Sequence, residues 1–110
     1  MVVEGAGGVL VPVDATHDML DIAARLRLPV LLVVGMRLGC LNHALLSAAA
    51  IRSRGLRLSG WVANCVDPQM RAVDSNVEAL SLRLPAPRVA LVAWGASPDI
   101  PPEVLDEPGL

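Results

Sequence analysis

The sequence predicts an α/β fold in which helices cover the faces of a parallel sheet, in the order β-α-β-α-β-α-β. Two observations lead there. Short apolar runs suited to strands alternate with stretches whose apolar residues recur at helical spacing. The joints between them are short. Alternation of this kind goes with a three-layer arrangement around a parallel sheet.

Met1 to Glu4 reads as the tail of a strand, ended by Gly5-Ala6-Gly7-Gly8, and Val9 to Val13 as a short extended piece. Asp18 is placed to cap a helix carrying Met19, Leu20, Ile22, Ala23 and Leu26. Val30 to Val34 is a continuous apolar run stopped by Gly35, the pattern of a parallel strand buried on both faces. Cys40 to Arg54 is the strongest helix, with Leu41, Ala44, Leu45, Ala48 and Ile51 on one face and Gly55 as its stop. Leu58 to Val66 returns as a strand, and Asp67-Pro68 punctuates a turn. Asp74 to Leu84 is a further helix closed off by Pro85, and Arg88 to Trp94 is the last strand. We read residues 1–95 as one domain and residues 96–110, proline-rich and without periodicity, as loop and tail.

Composition narrows the function. The 110 residues are 54% hydrophobic and 18% charged, so a disordered chain is not expected. A net charge of -2 offers no electrostatic footprint for nucleic acid and no basic patch for a membrane surface. The longest apolar run, Pro29 to Met36, falls far short of the ~20 residues that span a bilayer. The N-terminus carries no basic region, so a signal peptide is not expected. Cys40 and Cys65 form neither a disulfide framework nor a zinc pattern. A reduced, cytoplasmic setting is the simplest expectation. All nine basic residues are arginine, and lysine is absent.

In open parallel sheets ligands bind at the carboxyl ends of the strands, and three stretches there draw attention. In the first, Glu4 ends a predicted strand and is followed by Gly5-Ala6-Gly7-Gly8. A hard cation such as Mg²⁺ takes one or two carboxylates plus phosphate oxygens, and glycines leave backbone N–H groups free to approach an anion. A tight turn with a solvated glutamate reads equally well. In the second, Gly35 to His43 joins a buried strand to a helix start, where unpaired N–H groups attract carboxylate or phosphate. Arg37 adds a fixed charge there. The residues alone favour an ordinary βα loop with Asn42 as a cap. In the third, Gly60 to Val66, the Asn64 carboxamide can donate and accept at once, as the edge of a base requires. Without context a turn-forming Asn is the simpler account. His17 and His43 lack a metal spacing, and Cys40 reads as a packing residue.

Taken together and in this order, the segments Val3-Glu4-Gly5-Ala6-Gly7-Gly8, Leu32 to Ala44 with its Leu38-Gly39-Cys40-Leu41-Asn42-His43 core, and Gly60-Trp61-Val62-Ala63-Asn64 resemble the dethiobiotin synthetases. The likeness runs from Met1 to about Trp94 and corresponds to the C-terminal half of such enzymes. It implies a phosphate-loop NTPase-like fold, present in part, and a role in biotin biosynthesis. There, 7,8-diaminopelargonate takes up CO₂, ATP activates the carbamate in the presence of Mg²⁺, and a cyclic urea closes. By position, the resemblance makes Glu4 the Mg²⁺-binding acid. It gives nucleotide contacts to Glu4, Gly5, Ala6, Gly7, Asn64 and Cys65, with Asn64 reading adenine. Ala93, Trp94 and Gly95 stand where the family has Pro-Trp-Leu beside the adenine; only the Trp is kept. Gly39, Cys40, Leu41 and Asn42 fall on the helix start that holds the substrate carboxylate from the partner subunit, which implies a homodimer. Arg37 stands at a basic position of that family and takes a substrate role.

The family's phosphate loop, G-x-x-x-x-G-K-[ST], and its catalytic lysine cannot lie within these 110 residues, which contain no lysine. No catalytic residue is therefore assigned. Two other readings accompany this one: a non-catalytic dimerisation or regulatory module, and a related amidotransferase-type synthetase of the same fold.

Overall fold

The computed structural model describes residues 2–5 and 7–97. The elements run α1 (Met19–Leu26), β1 (Val30–Gly35), α2 (Cys40–Ser53), β2 (Leu58–Asn64), α3 (Val73–Arg83) and β3 (Arg88–Val92). The three strands form one parallel sheet in the order β1-β2-β3. Its register pairs Leu31 with Gly60, Gly35 with Asn64, and Asn64 with Val92. The α/β parallel-sheet class expected from the alternation is the one observed.

The first expected strand is not formed. Val2 to Gly5 carry no strand structure. An extended segment becomes a strand only when a neighbour takes its hydrogen bonds, and among the described residues none pairs with it. The extended piece expected at Val9 to Val13 is instead a turn followed by an isolated antiparallel bridge between Pro12 and Asp18. Other boundaries move by one or two residues. The expected tail lies outside the described residues from residue 98 onward.

The helix ends follow local chemistry. Asp18 and Asp21 cap α1 reciprocally: Asp21 N–H donates to Asp18 Oδ1 at 3.1 Å, and Asp18 N–H donates to Asp21 Oδ2 at 2.7 Å. At the end of α2, Gly55 N–H donates to Arg52 O at 2.9 Å and Leu56 N–H to Ile51 O at 3.2 Å, closing the helix at the glycine. Arg54, the last cap of α2, reaches back to α1. Its Nη1 donates to Asp18 Oδ1 at 3.2 Å and to Asp21 Oδ1 at 3.0 Å, and its Nη2 donates to Asp18 Oδ2.

The Arg54 hydrogen bond holds the Asp18 carboxyl below its ordinary value of 3.8 against an opposing desolvation, helped by the Asp21 backbone and the Arg54 charge. A depressed folded-state value means that the stabilisation is present above pH 3.8 and is lost as pH falls through the lower folded value. Asn also caps helices well, so Asp18→Asn removes the charge and spares the cap. We expect that variant to melt lower than the parent at neutral pH. The two melting temperatures should converge as pH drops below 3.8; a constant gap down to pH 2 would count against the ion pair as the cause.

One core joins the three helices to the sheet. Leu20 of α1, Cys40, Ala44, Ala48 and Ile51 of α2, and Val77 and Leu80 of α3 cluster with Val34, Trp61 and Ala63 of the strands. Trp61 is the largest side chain fully withdrawn from solvent. Gly60 lets β2 and β3 approach: a Cβ there would lie 2.9 Å from Val89 Cγ1 and 3.2 Å from the Pro87 carbonyl oxygen. Among the described residues no helix is long and apolar enough to cross a membrane.

Candidate functional site

The carboxyl ends of the three strands stand in a row, and backbone bonds continue just beyond them. Met36 N–H donates to Asn64 O at 2.7 Å, and Cys65 N–H donates to Val92 O at 2.8 Å. The loops carrying Arg37, Cys65 and Trp94 therefore leave from one edge of the sheet. After β3, Ala96 N–H closes a turn onto Ala93 O at 3.0 Å around Trp94 and Gly95. The Trp94 indole is 62% exposed there, a large apolar face open to a flat ligand.

Against β1 lies an open pocket of about 350 Å³, lined on one side by Gly7 and Gly8 and on the other by Gly35, Arg37, Cys40, His43 and Ser47. The first and second sequence stretches thus meet in space. Gly7 and Gly8 have φ of 86° and 129°, which side-chain-bearing residues rarely adopt. Such backbone lets neighbouring N–H groups converge on an anion. Glu4 is exposed and does not line the pocket. Among the described residues no three His, Cys, Asp or Glu side chains converge as a metal cage. A single carboxylate still suits Mg²⁺ when phosphate and water oxygens complete its shell.

The start of α2 departs from the expected capping. Its N-cap is Gly39, with φ 95° and no side chain to cap with; Cys40 N–H turns back onto Arg37 O at 3.0 Å. Asn42 lies inside the helix, exposed, and does not cap it. Leu41 is half-buried. Cys40 is buried, with its Sγ 3.9 Å from Asn76 Oδ1 of α3, which fits the packing role read from the sequence. Arg37 is exposed at the pocket.

Asn64, Cys65 and Trp94 do not line this pocket; they occupy the neighbouring part of the same sheet edge. Ala6 lies outside the described residues. Sequence reasoning passed over His43 and Ser47 as pocket residues. Cys40, His43, Ala44 and Ser47 follow the spacing i, i+3, i+4, i+7, so they share a helix face, and that spacing was the available signal.

Residues 1–99 match the profile of a family described as an AAA domain. The chain belongs to that family. This AAA domain is also similar to curated proteins named ATP-dependent dethiobiotin synthetase BioD. The one from Aromatoleum aromaticum is 52% identical over 99 residues, covering 90% of this chain and 44% of the relative. The one from Xylella fastidiosa (strain Temecula1) is 49% identical over 104 residues, covering 94% and 44%. The one from Janthinobacterium sp. (strain Marseille) is 55% identical over 98 residues, covering 89% and 42%. The AAA domain therefore spans less than half the length of these curated relatives.

Proposed function

We propose that this AAA domain is the carboxyl-terminal half of an ATP-dependent dethiobiotin synthetase of biotin biosynthesis. The whole enzyme closes the urea ring on 7,8-diaminopelargonate, with CO₂ as carbon source and Mg²⁺ as companion of the nucleotide. The observation that carries the reading is the meeting of the glycine loop with the Gly35–His43 segment in one pocket, in a chain about half identical to proteins of that name.

The roles divide along the sheet edge. Glu4 supplies the metal carboxylate, and Gly5, Ala6 and Gly7 approach the phosphates. Asn64 reads the adenine edge, with Cys65, Ala93, Trp94 and Gly95 around the base. Arg37 and the helix start Gly39 to Asn42 hold the substrate carboxylate for the neighbouring subunit of a homodimer. Support for that last role comes from Leu38, 99% exposed at the tip of the same loop, whose apolar surface gains from being covered. The enzyme is cytoplasmic on this reading. A second reading, a non-catalytic dimerisation or regulatory module, is favoured by the absence of lysine.

The test is nucleotide titration of the intact protein. Asn64→Ala should weaken ADP binding by roughly tenfold, the size of one or two lost hydrogen bonds, and erase the preference for adenine over guanine nucleotides. Unchanged affinity and preference would remove Asn64 from the site.

A further inference from the structure

Within the Glu4–Gly8 stretch, Gly5 is held against the first turn of α1. A Cβ at Gly5 would lie 2.8 Å from Met19 Cε, so the loop backbone rests on the first residue of that helix. Past the loop, Val11 O accepts from Met19 N–H at 3.1 Å, and Val9 O accepts from Leu20 N–H at 3.2 Å. The first N–H groups of a helix have no partner within it. Here the turn that follows the loop takes two of them, and Asp18 takes the next, from Asp21.

The same helix turn is gripped from the far side by Arg54. Its guanidinium bonds to both members of the capping box, Asp18 through both carboxylate oxygens and Asp21 through Oδ1. A planar fork can hold two carboxylates at fixed angles, which a lysine ammonium does not do. Arg54 itself closes α2, the helix whose opposite end carries Cys40 and the pocket face. A continuous connection therefore runs from α2 through Arg54, the capping box and the Met19 and Leu20 amides to Val11 and Val9, and from Val11 N–H to the Gly8 carbonyl at the end of the glycine loop.

We propose that Arg54 is a positioning residue for the Glu4–Gly8 loop, fixing it relative to α2 by clamping the α1 capping box. The inference rests on the reading of that loop as a nucleotide-contacting element. Without the clamp, the loop spends a smaller fraction of time in its binding position, and apparent affinity falls by that fraction.

The experiment compares the intact protein with its Arg54→Ala and Arg54→Lys variants by amide hydrogen exchange and by titration with Mg²⁺-ADP and with 7,8-diaminopelargonate. In Arg54→Ala, exchange at Met19 and Leu20 should quicken and Mg²⁺-ADP affinity should fall, each by roughly two- to fivefold, as suits a solvent-accessible ion pair. Affinity for 7,8-diaminopelargonate should hold, and Arg54→Lys should recover part of the nucleotide affinity. Equal losses for both ligands would indicate general loosening of the fold and overturn the proposal. So would unchanged Mg²⁺-ADP affinity in Arg54→Ala. If the parent protein binds no nucleotide, the functional reading fails by itself. The clamp is then judged on exchange, and unaltered rates at Met19 and Leu20 overturn it.

Discussion

Supplied with ATP, Mg²⁺, CO₂ and 7,8-diaminopelargonate, these 110 residues by themselves are expected to release no phosphate above background. Phosphoryl transfer asks little covalent chemistry of a protein; it asks for positioning and for cations around the transferring group. The described pocket offers glycine backbone and one arginine, Arg37, which is exposed. No lysine is present to reach the β- and γ-phosphates or to steady a carbamate. Loss of one such cation costs on the order of a thousandfold or more in rate, and here the phosphate loop is missing with it. A coupled phosphate-release assay checks this. Turnover within a hundredfold of a full-length dethiobiotin synthetase would show that catalysis needs neither element, and the proposed division of roles would fall.

The second large effect concerns stability. Trp61→Ala is expected to destabilise the domain by about 3–5 kcal/mol, the usual range for truncating a buried aromatic. Trp61 is 0% exposed and sits in the cluster shared by the helices and strands. Small domains have only about 5–15 kcal/mol in total, so this one substitution should bring the chain near unfolding at 37 °C. Trp61→Phe should cost far less. It keeps most of the ring volume and removes an indole N–H for which no described residue serves as acceptor. Urea titrations followed by circular dichroism separate the two. Equal midpoints for the two variants would show that ring volume at this position does not set stability.

Much of the fold was legible because it depends on local pattern. The run Val30 to Val34 was legible as a strand but not as one buried on both faces, since Val33 is 57% exposed and only Val34 is fully buried; Gly55 marked the close of α2. Asp18 was readable as a cap because a short carboxylate ahead of an apolar helical face has few other uses. What escaped depends on partners distant in sequence. Val2 to Gly5 have strand-like residues and no strand, since pairing is a property of two segments. The Arg54 clamp joins residues 36 positions apart, and no spacing rule reports it. Ala72 heads α3 at φ 58°, a conformation alanine seldom adopts, held by Ser75 Oγ and Asn76 Nδ2 donating to its carbonyl. Of the three stretches singled out at expected strand ends, those after Gly35 and Asn64 do follow strands and the one at Glu4 does not. The meeting of Gly7 with Arg37 and Cys40 was not legible, because it depends on where the loop folds back after Glu4.

The backbone bonds that run past the strand ends bear on which length changes the protein can tolerate. Met36 is tied to Asn64, and Cys65 to Val92, so the first step of each loop is still counted out by the sheet. An extra residue inserted directly after Gly35 or Asn64 would put the following amide out of step with its acceptor and displace the whole loop. Beyond Arg37 and Val66 no such ruler applies. Natural length variation among sister proteins is therefore expected to accumulate a few residues downstream of each strand, leaving the spacing between Gly35 and Arg37, and between Asn64 and Cys65, intact.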